Sequence, residues 1–258
     1  MQSSMRGDAI AIMNKKQSFY TSAVIATILL AFSWVTLMPA VSHAQNVAGY
    51  TVQPGPGGTI SGKILYSGKP VRPKKVTVTQ DQGTCGNMKM MEPVKIEQGG
   101  IADAVVWIDD ISHGKAFSFP AASLDQKGCM FVPHVLLMAP GKLKVLNSDN
   151  VAHNVHIYSK ANRSFNQVMP PGSAPLEIPL YRPDTAIVRC DVHNWMQGYI
   201  IVAKNPYYAL SGSGGSFTLT DVPPGTYHLK VWQENLGIQE QTVTVTAGQT
   251  AAANFTLK

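Results

Sequence analysis

From residue 50 onward the chain alternates short apolar runs with polar turns. The runs are rich in Val, Ile, Thr and Tyr, and Gly, Pro, Asn and Ser punctuate them. That pattern predicts an all-β protein of the sandwich or barrel kind. The expected strands are Thr59–Tyr66, Lys75–Thr79, Ala104–Ile108, Val135–Ala139, Lys142–Leu146, Asn154–Tyr158, Ala186–Arg189, Tyr199–Ala203, Ser216–Thr220, Thr226–Trp232, Gln241–Val245 and Ala253–Leu257. No segment keeps a helical period. Asn205-Pro206 ends an apolar strand, and SGSGG at 211–215 reads as a flexible joint, so a boundary is expected near 205.

The first residues follow a different pattern. Lys15 and Lys16 precede an apolar run from about Ala23 to Met38, and Ser42-His43-Ala44 ends it with small residues at 42 and 44. This order predicts a secretory signal peptide over residues 1–44, with the mature protein exported to the periplasm. The apolar run is shorter than a comfortable span, so contact with a membrane is expected only through an uncleaved signal segment. No cysteine lies near the cleavage site to take a lipid.

Charge narrows the function classes. The chain has 21 Lys+Arg and 15 Asp+Glu; without Arg6, Lys15, Lys16 and Asp8 the mature part keeps 18 and 14, a net +4. No basic run is longer than Lys74-Lys75, so no nucleic-acid partner is expected. The methionines of GNMKMMEPVK show no site spacing and read as gap-fillers.

The chemistry concentrates in RCDVHNWMQGY. Cys190, His193 and Met196 stand three residues apart. Zinc has little use for a thioether. Copper cycling between Cu(I) and Cu(II) suits the set: sulfur favours Cu(I), imidazole tolerates both states, and a weak methionine tunes the potential. A second histidine is needed, and NSDNVAHNVH (147–156) supplies two. Residues three apart on a strand face opposite ways, so both cannot reach one ion. His153, at the strand's start after an Asn/Asp turn, is the expected ligand, and His156 a structural residue. Asn154 is expected to brace the copper loop.

NSDNVAHNVH with CDVHNWMQGYIIV, after the lead-in FVPHVLLMAPGKLKVLNSD, resembles a cupredoxin of the amicyanin and pseudoazurin type. The resemblance covers roughly residues 101–204. It implies a Greek-key β-sandwich holding one type 1 copper ion, with His153, Cys190 and His193 in a trigonal plane and Met196 axial. It also implies single-electron transfer without a substrate site, so the protein is not expected to be an enzyme. His193 would be the electron exit, and the partners would be redox proteins such as a c-type cytochrome or a dehydrogenase. The chain has no His-x-His pair for a trinuclear cluster and no C-x-x-C-H for haem.

Two cysteines remain. In an oxidising compartment Cys85 and Cys129 are expected to pair; the alternative is a second metal site with His134. Trp195 is open between packing and a docking patch around His193. Tyr207 and Tyr208 are expected to cover the domain joint, and His113 and His228 to be surface or strand residues.

GGSFTLTDVPPGTYHLKVW and QTVTVTAGQTAAANFTL resemble the carboxypeptidase regulatory-like, transthyretin-type β-sandwich, a smaller module placed at 205–258. Its strands are too few to close a sandwich. GTISGKILYSGKPV (58–71) resembles the opening of the same module, so the N-terminal segment, residues 50–100, is a candidate to complete it. Two other functions stand beside electron transfer: copper storage or delivery in the envelope, and adhesion or glycan binding by the terminal module.

Overall fold

A computed structural model describes residues 47–258; the expected signal peptide lies outside the described residues. The described chain is almost wholly strand, with one four-residue helix, Gln82–Cys85, and one 3-10 turn, Ser213–Gly215. Among these residues no helix is long and apolar enough to cross a membrane.

Two aliphatic cores organise the strands. In the central one, a four-stranded sheet runs in the order Phe131–Val132, Ser123–Gln126, Gly141–Asn147, Leu176–Leu180. It faces a five-stranded sheet in the order Val135–Met138, Gln197–Val202, Asp184–Arg189, His153–Tyr158, Phe165–Met169. Two neighbouring pairs are parallel: 141–147 with 123–126, and 135–138 with 197–202. Parallel neighbours need crossovers between sheets, which two-residue hairpins cannot supply. Alternate residues point inward: Leu143 and Val145, Val155 and Ile157, Ala186 and Val188 are all fully buried. Each such aliphatic side chain contributes roughly 1.5–3 kcal/mol by leaving water.

The second core joins the two ends of the chain. Strand Gly58–Tyr66 lies antiparallel to Ser216–Val222 and parallel to Thr250–Ala252 and Phe255–Leu257. Opposite it run Tyr208–Leu210, Val105–Ile108, Gly225–Gln233 and Gly237–Val245. Ile60, Ile64, Val106, Ile108, Leu229 and Leu257 are fully buried between the layers. Val105–Ile108, expected with the metal-bearing sandwich, therefore belongs to this terminal core, because its partner in register is Leu229–Trp232.

The reverse exchange also occurs. The hairpin Lys74–Thr77 with Met88–Met91, and the turn between them, packs on the central core through Val78 and Cys85. The exposed edge of that hairpin corrects another expectation. Met88 is 44% exposed and Met90 60%, so these two methionines fill no gap.

The SGSGG segment is not a flexible joint. Gly215 has φ +74°, and a Cβ there would strike the carbonyl of Ile64. Its glycines permit a tight turn against strand 58–66, a need that looks identical to a linker in sequence. Tyr207 is fully buried in the terminal core; its hydroxyl donates to the Asp221 carbonyl and accepts from the Lys115 amide.

Candidate metal centre

The turn before strand His153–Tyr158 is built by its own polar side chains. Asn147 donates to the carbonyls of Val151 and Met169 at 2.9 and 2.8 Å, and its Oδ1 accepts from the Asp149 amide at 3.1 Å. This local side-chain bonding is what Asn and Asp do well in turns. It aims the Asp149 carboxylate at the amides of Gly128 and Cys129, both at 2.7 Å, and at His153 Nε2, at 2.8 Å. His153, the first residue of the strand, points into the core with no exposed surface. His156 points the other way, to Asp191 at 3.0 Å and Tyr158 at 2.9 Å, as the strand period requires.

The other donors come from residues 190–196. Cys190 N donates to the Met196 carbonyl at 3.1 Å, and Met196 N to the His193 carbonyl at 2.9 Å. These bonds close the segment into a compact loop with Cys190, His193 and Met196 all buried. The Cys190 sulfur accepts from two backbone amides, Asn154 at 3.3 Å and His193 at 3.4 Å. Asn154 links strand to loop a second time: its Oδ1 accepts from the Asp191 amide at 2.9 Å, and its Nδ2 donates to Asn166.

His153, Cys190 and His193 bring their donor atoms within 4.8 Å of one another. The two Nδ1 atoms stand 2.9 Å apart, and Cys190 Sγ is 3.7 Å from His193 Nδ1. The tautomers follow from the far side of each ring. His153 Nε2 faces Asp149, and His193 Nε2 faces Asp81 at 2.8 Å. A carboxylate only accepts, so each Nε2 donates to its carboxylate and each Nδ1 is turned toward the other donors. Two ring nitrogens and a sulfur then converge in a buried core. Such a cluster calls for a positive charge at its centre, and a soft ion taking nitrogen and sulfur fits it. Met196 is buried in the same core, and its thioether suits copper better than zinc.

Burial holds the His153 pKa below its ordinary value, and the His193 ring beside it acts the same way, against the pull of Asp149. Asp149 itself would be pushed up by burial, but the Cys129 and Gly128 amides and His153 together hold it below the usual carboxylate range.

Cys85 and Cys129 form a disulfide, which leaves Cys190 as the free thiol and removes the alternative of a second site built from Cys85, Cys129 and His134. His134 instead bonds Glu234 at 2.7 Å and the Gln197 carbonyl at 3.1 Å. Trp195 is 6% exposed; it lies on His193 with ring centroids 5.0 Å apart and donates to the Cys129 carbonyl at 3.0 Å, so it packs and is not an outward patch. His228 bonds Asp110 at 2.7 Å, and His113 is exposed in a short strand.

His193, expected to be the electron exit, has no exposed surface, and the Asp81 carboxylate sits on its imidazole edge. Sequence reasoning also missed both carboxylates. Asp149 was within reach, four residues before His153, although an acidic residue in an Asn/Asp turn has an ordinary role there. Asp81 gave no signal, since it lies 112 residues from the ring it meets.

The profile of the carboxypeptidase regulatory-like domain matches residues 195–258. Among solved structures, the chain is similar to a copper-containing nitrite reductase from Thermus scotoductus SA-01 at 19% identity and TM-score 0.30, over 37% of this chain and 25% of that one. A purple cupredoxin from Nitrosopumilus maritimus aligns at 20% identity and TM-score 0.28, over 32% and 99%. The reduced Cu(I) form of an amicyanin mutant aligns at 18% and 0.30, over 33% and 85%. This chain thus spans a quarter of the nitrite reductase. No curated protein matches it. The described residues, 47–258, are almost wholly strand, and residues 195–258 match the carboxypeptidase regulatory-like domain. The case for a metal rests on the donor set described above.

Proposed function

We propose that this chain is an exported type 1 copper protein that carries single electrons between periplasmic redox partners, such as a c-type cytochrome or a dehydrogenase. The observation that carries this reading is the convergence of the His153 and His193 Nδ1 atoms and the Cys190 sulfur in a buried core. Bound there, copper supplies a one-electron couple between Cu(II) and Cu(I). His153, Cys190 and His193 would hold it, with Met196 as a weaker fourth donor, and Asn154 ties the loop to the strand.

The chain's own part is to keep these groups still. Amides fix the Cys190 sulfur, carboxylates fix both rings, and backbone bonds close the loop. Donors that are already placed need little rearrangement when charge changes, which suits a carrier and not an enzyme that must admit a substrate. The central sandwich would be the electron-carrying unit, inserted in a terminal sandwich completed by residues 58–66.

A second reading, copper hand-over in the envelope, draws on the exposed Met88 and Met90, soft donors on the hairpin that leads to Asp81. Voltammetry on the copper-loaded protein separates the two. A carrier gives a fast, reversible one-electron wave with both states bound. Loss of the ion on reduction, with Cu(I) passing to a chelator, would favour hand-over.

A further inference from the structure

We propose that Asp81 is a positioning residue for His193, delivered from outside the metal-bearing sandwich by a segment that the Cys85–Cys129 disulfide fastens down. The metal part of this inference rests on the copper reading; the placement of the ring does not.

Asp81 is anchored on both sides. Before it, Val78 is fully buried in the central core, and after it Cys85 is 3% exposed and bonded to Cys129. Between them the Asp81 carbonyl accepts from the amides of Thr84 and Cys85 at 2.9 and 2.8 Å, and Gln82 Nε2 donates to the Val78 carbonyl at 2.8 Å. Asp81 holds φ +52°, a left-handed conformation that most side chains avoid and Asp tolerates. The backbone is thus bent at this residue to present its carboxylate to the His193 edge.

Cys129 is the junction of the arrangement. Its sulfur holds the Asp81 segment, its amide donates to Asp149, and its carbonyl accepts from Trp195. Both imidazoles are therefore backed by carboxylates that meet at one residue. The Asp81 side chain is 40% exposed, while the ring it contacts is fully buried.

Two consequences follow for His193. The proton is held on Nε2, leaving Nδ1 to face the other donors, as carboxylate partners do for metal-bound histidine generally. A negative charge behind the ring also favours the more positive oxidation state of any ion in front of it.

Two measurements test this with Asp81→Ala and Asp81→Asn. In the metal-free protein, long-range 1H–15N correlation of the His193 ring should show a slowly exchanging proton on Nε2. Asp81→Ala should speed its exchange at least about tenfold, and Asp81→Asn, which keeps an acceptor, should retain it. A Cys85→Ser/Cys129→Ser variant should loosen it as Asp81→Ala does. In the copper-loaded protein, Asp81→Ala should lower the ratio of Cu(II) to Cu(I) affinity about tenfold, raising the potential by about 59 mV. Asp81→Asn should raise it less. A wild-type Nε2 proton that exchanges as fast as in Asp81→Ala, or an unmoved potential, would overturn the proposal. Failure of the wild type to bind copper would instead overturn the copper reading, and the metal-free measurement would still decide the role of Asp81.

Discussion

The two sandwiches bury polar groups for different purposes. In the terminal one, buried side chains stitch the backbone. Asn205 donates to the Ile108 carbonyl, Ser211 joins the Ile101 carbonyl to the Ala104 amide, and Gln233 donates to the Pro93 carbonyl. Each is bonded to main chain. In the central one, His153 and His193 face each other and a thiol, with carboxylates behind them. Both cores are built mainly of buried apolar side chains. What separates them is whether buried polar atoms are satisfied by main chain or left converging on one another, and only the second arrangement makes a site.

That contrast can be broken in graded steps. The largest effect is expected on the central side. Opening Cys85–Cys129 with Cys129→Ser frees a 44-residue separation and should destabilise the protein by about 4 kcal/mol, read from denaturant unfolding. It should also change the copper spectrum, since Cys129 touches Asp149 and Trp195. On the terminal side, Ser211→Ala leaves the Ala104 amide and Ile101 carbonyl without that partner and should cost about 2 kcal/mol. The metal spectrum should not move, and a change there would refute the division of labour.

The smallest effect lies between the two. Burial alone would lower the His134 pKa, but Glu234 outweighs it and the net shift is upward from the unfolded value of about 6.5. A raised folded value means the pair stabilises fully below the unfolded pKa and loses that contribution as pH rises through the folded one. Glu234→Gln should flatten this part of the stability–pH curve. A curve that keeps its slope in Glu234→Gln would remove the pair as its cause.

Legibility in the sequence follows the same line. The strands with one face in a core announced themselves, because period-two burial leaves an apolar pattern, as in Gly141–Asn147 and Gly225–Gln233. Phe165–Met169 did not, since most of its residues are exposed and its place comes from pairing with strand 153–158. Cys190, His193 and Met196 were readable from spacing, and the choice of His153 from strand direction. The burial of His193 was not readable, because the covering residue arrives from a distant turn whose only local mark is the nearby Cys85. Met88 and Met90 misled for a related reason: an apolar residue on a two-stranded hairpin has no second layer to bury it. Gly215 misled because close approach and flexibility demand the same residue.

The visible spectrum of the purified mature protein after addition of Cu(II) tests the central claim most directly. An intense band in the orange-red region is expected from charge transfer between the Cys190 thiolate and copper, absent from Cys190→Ser. A colourless protein that takes zinc in place of copper would contradict it.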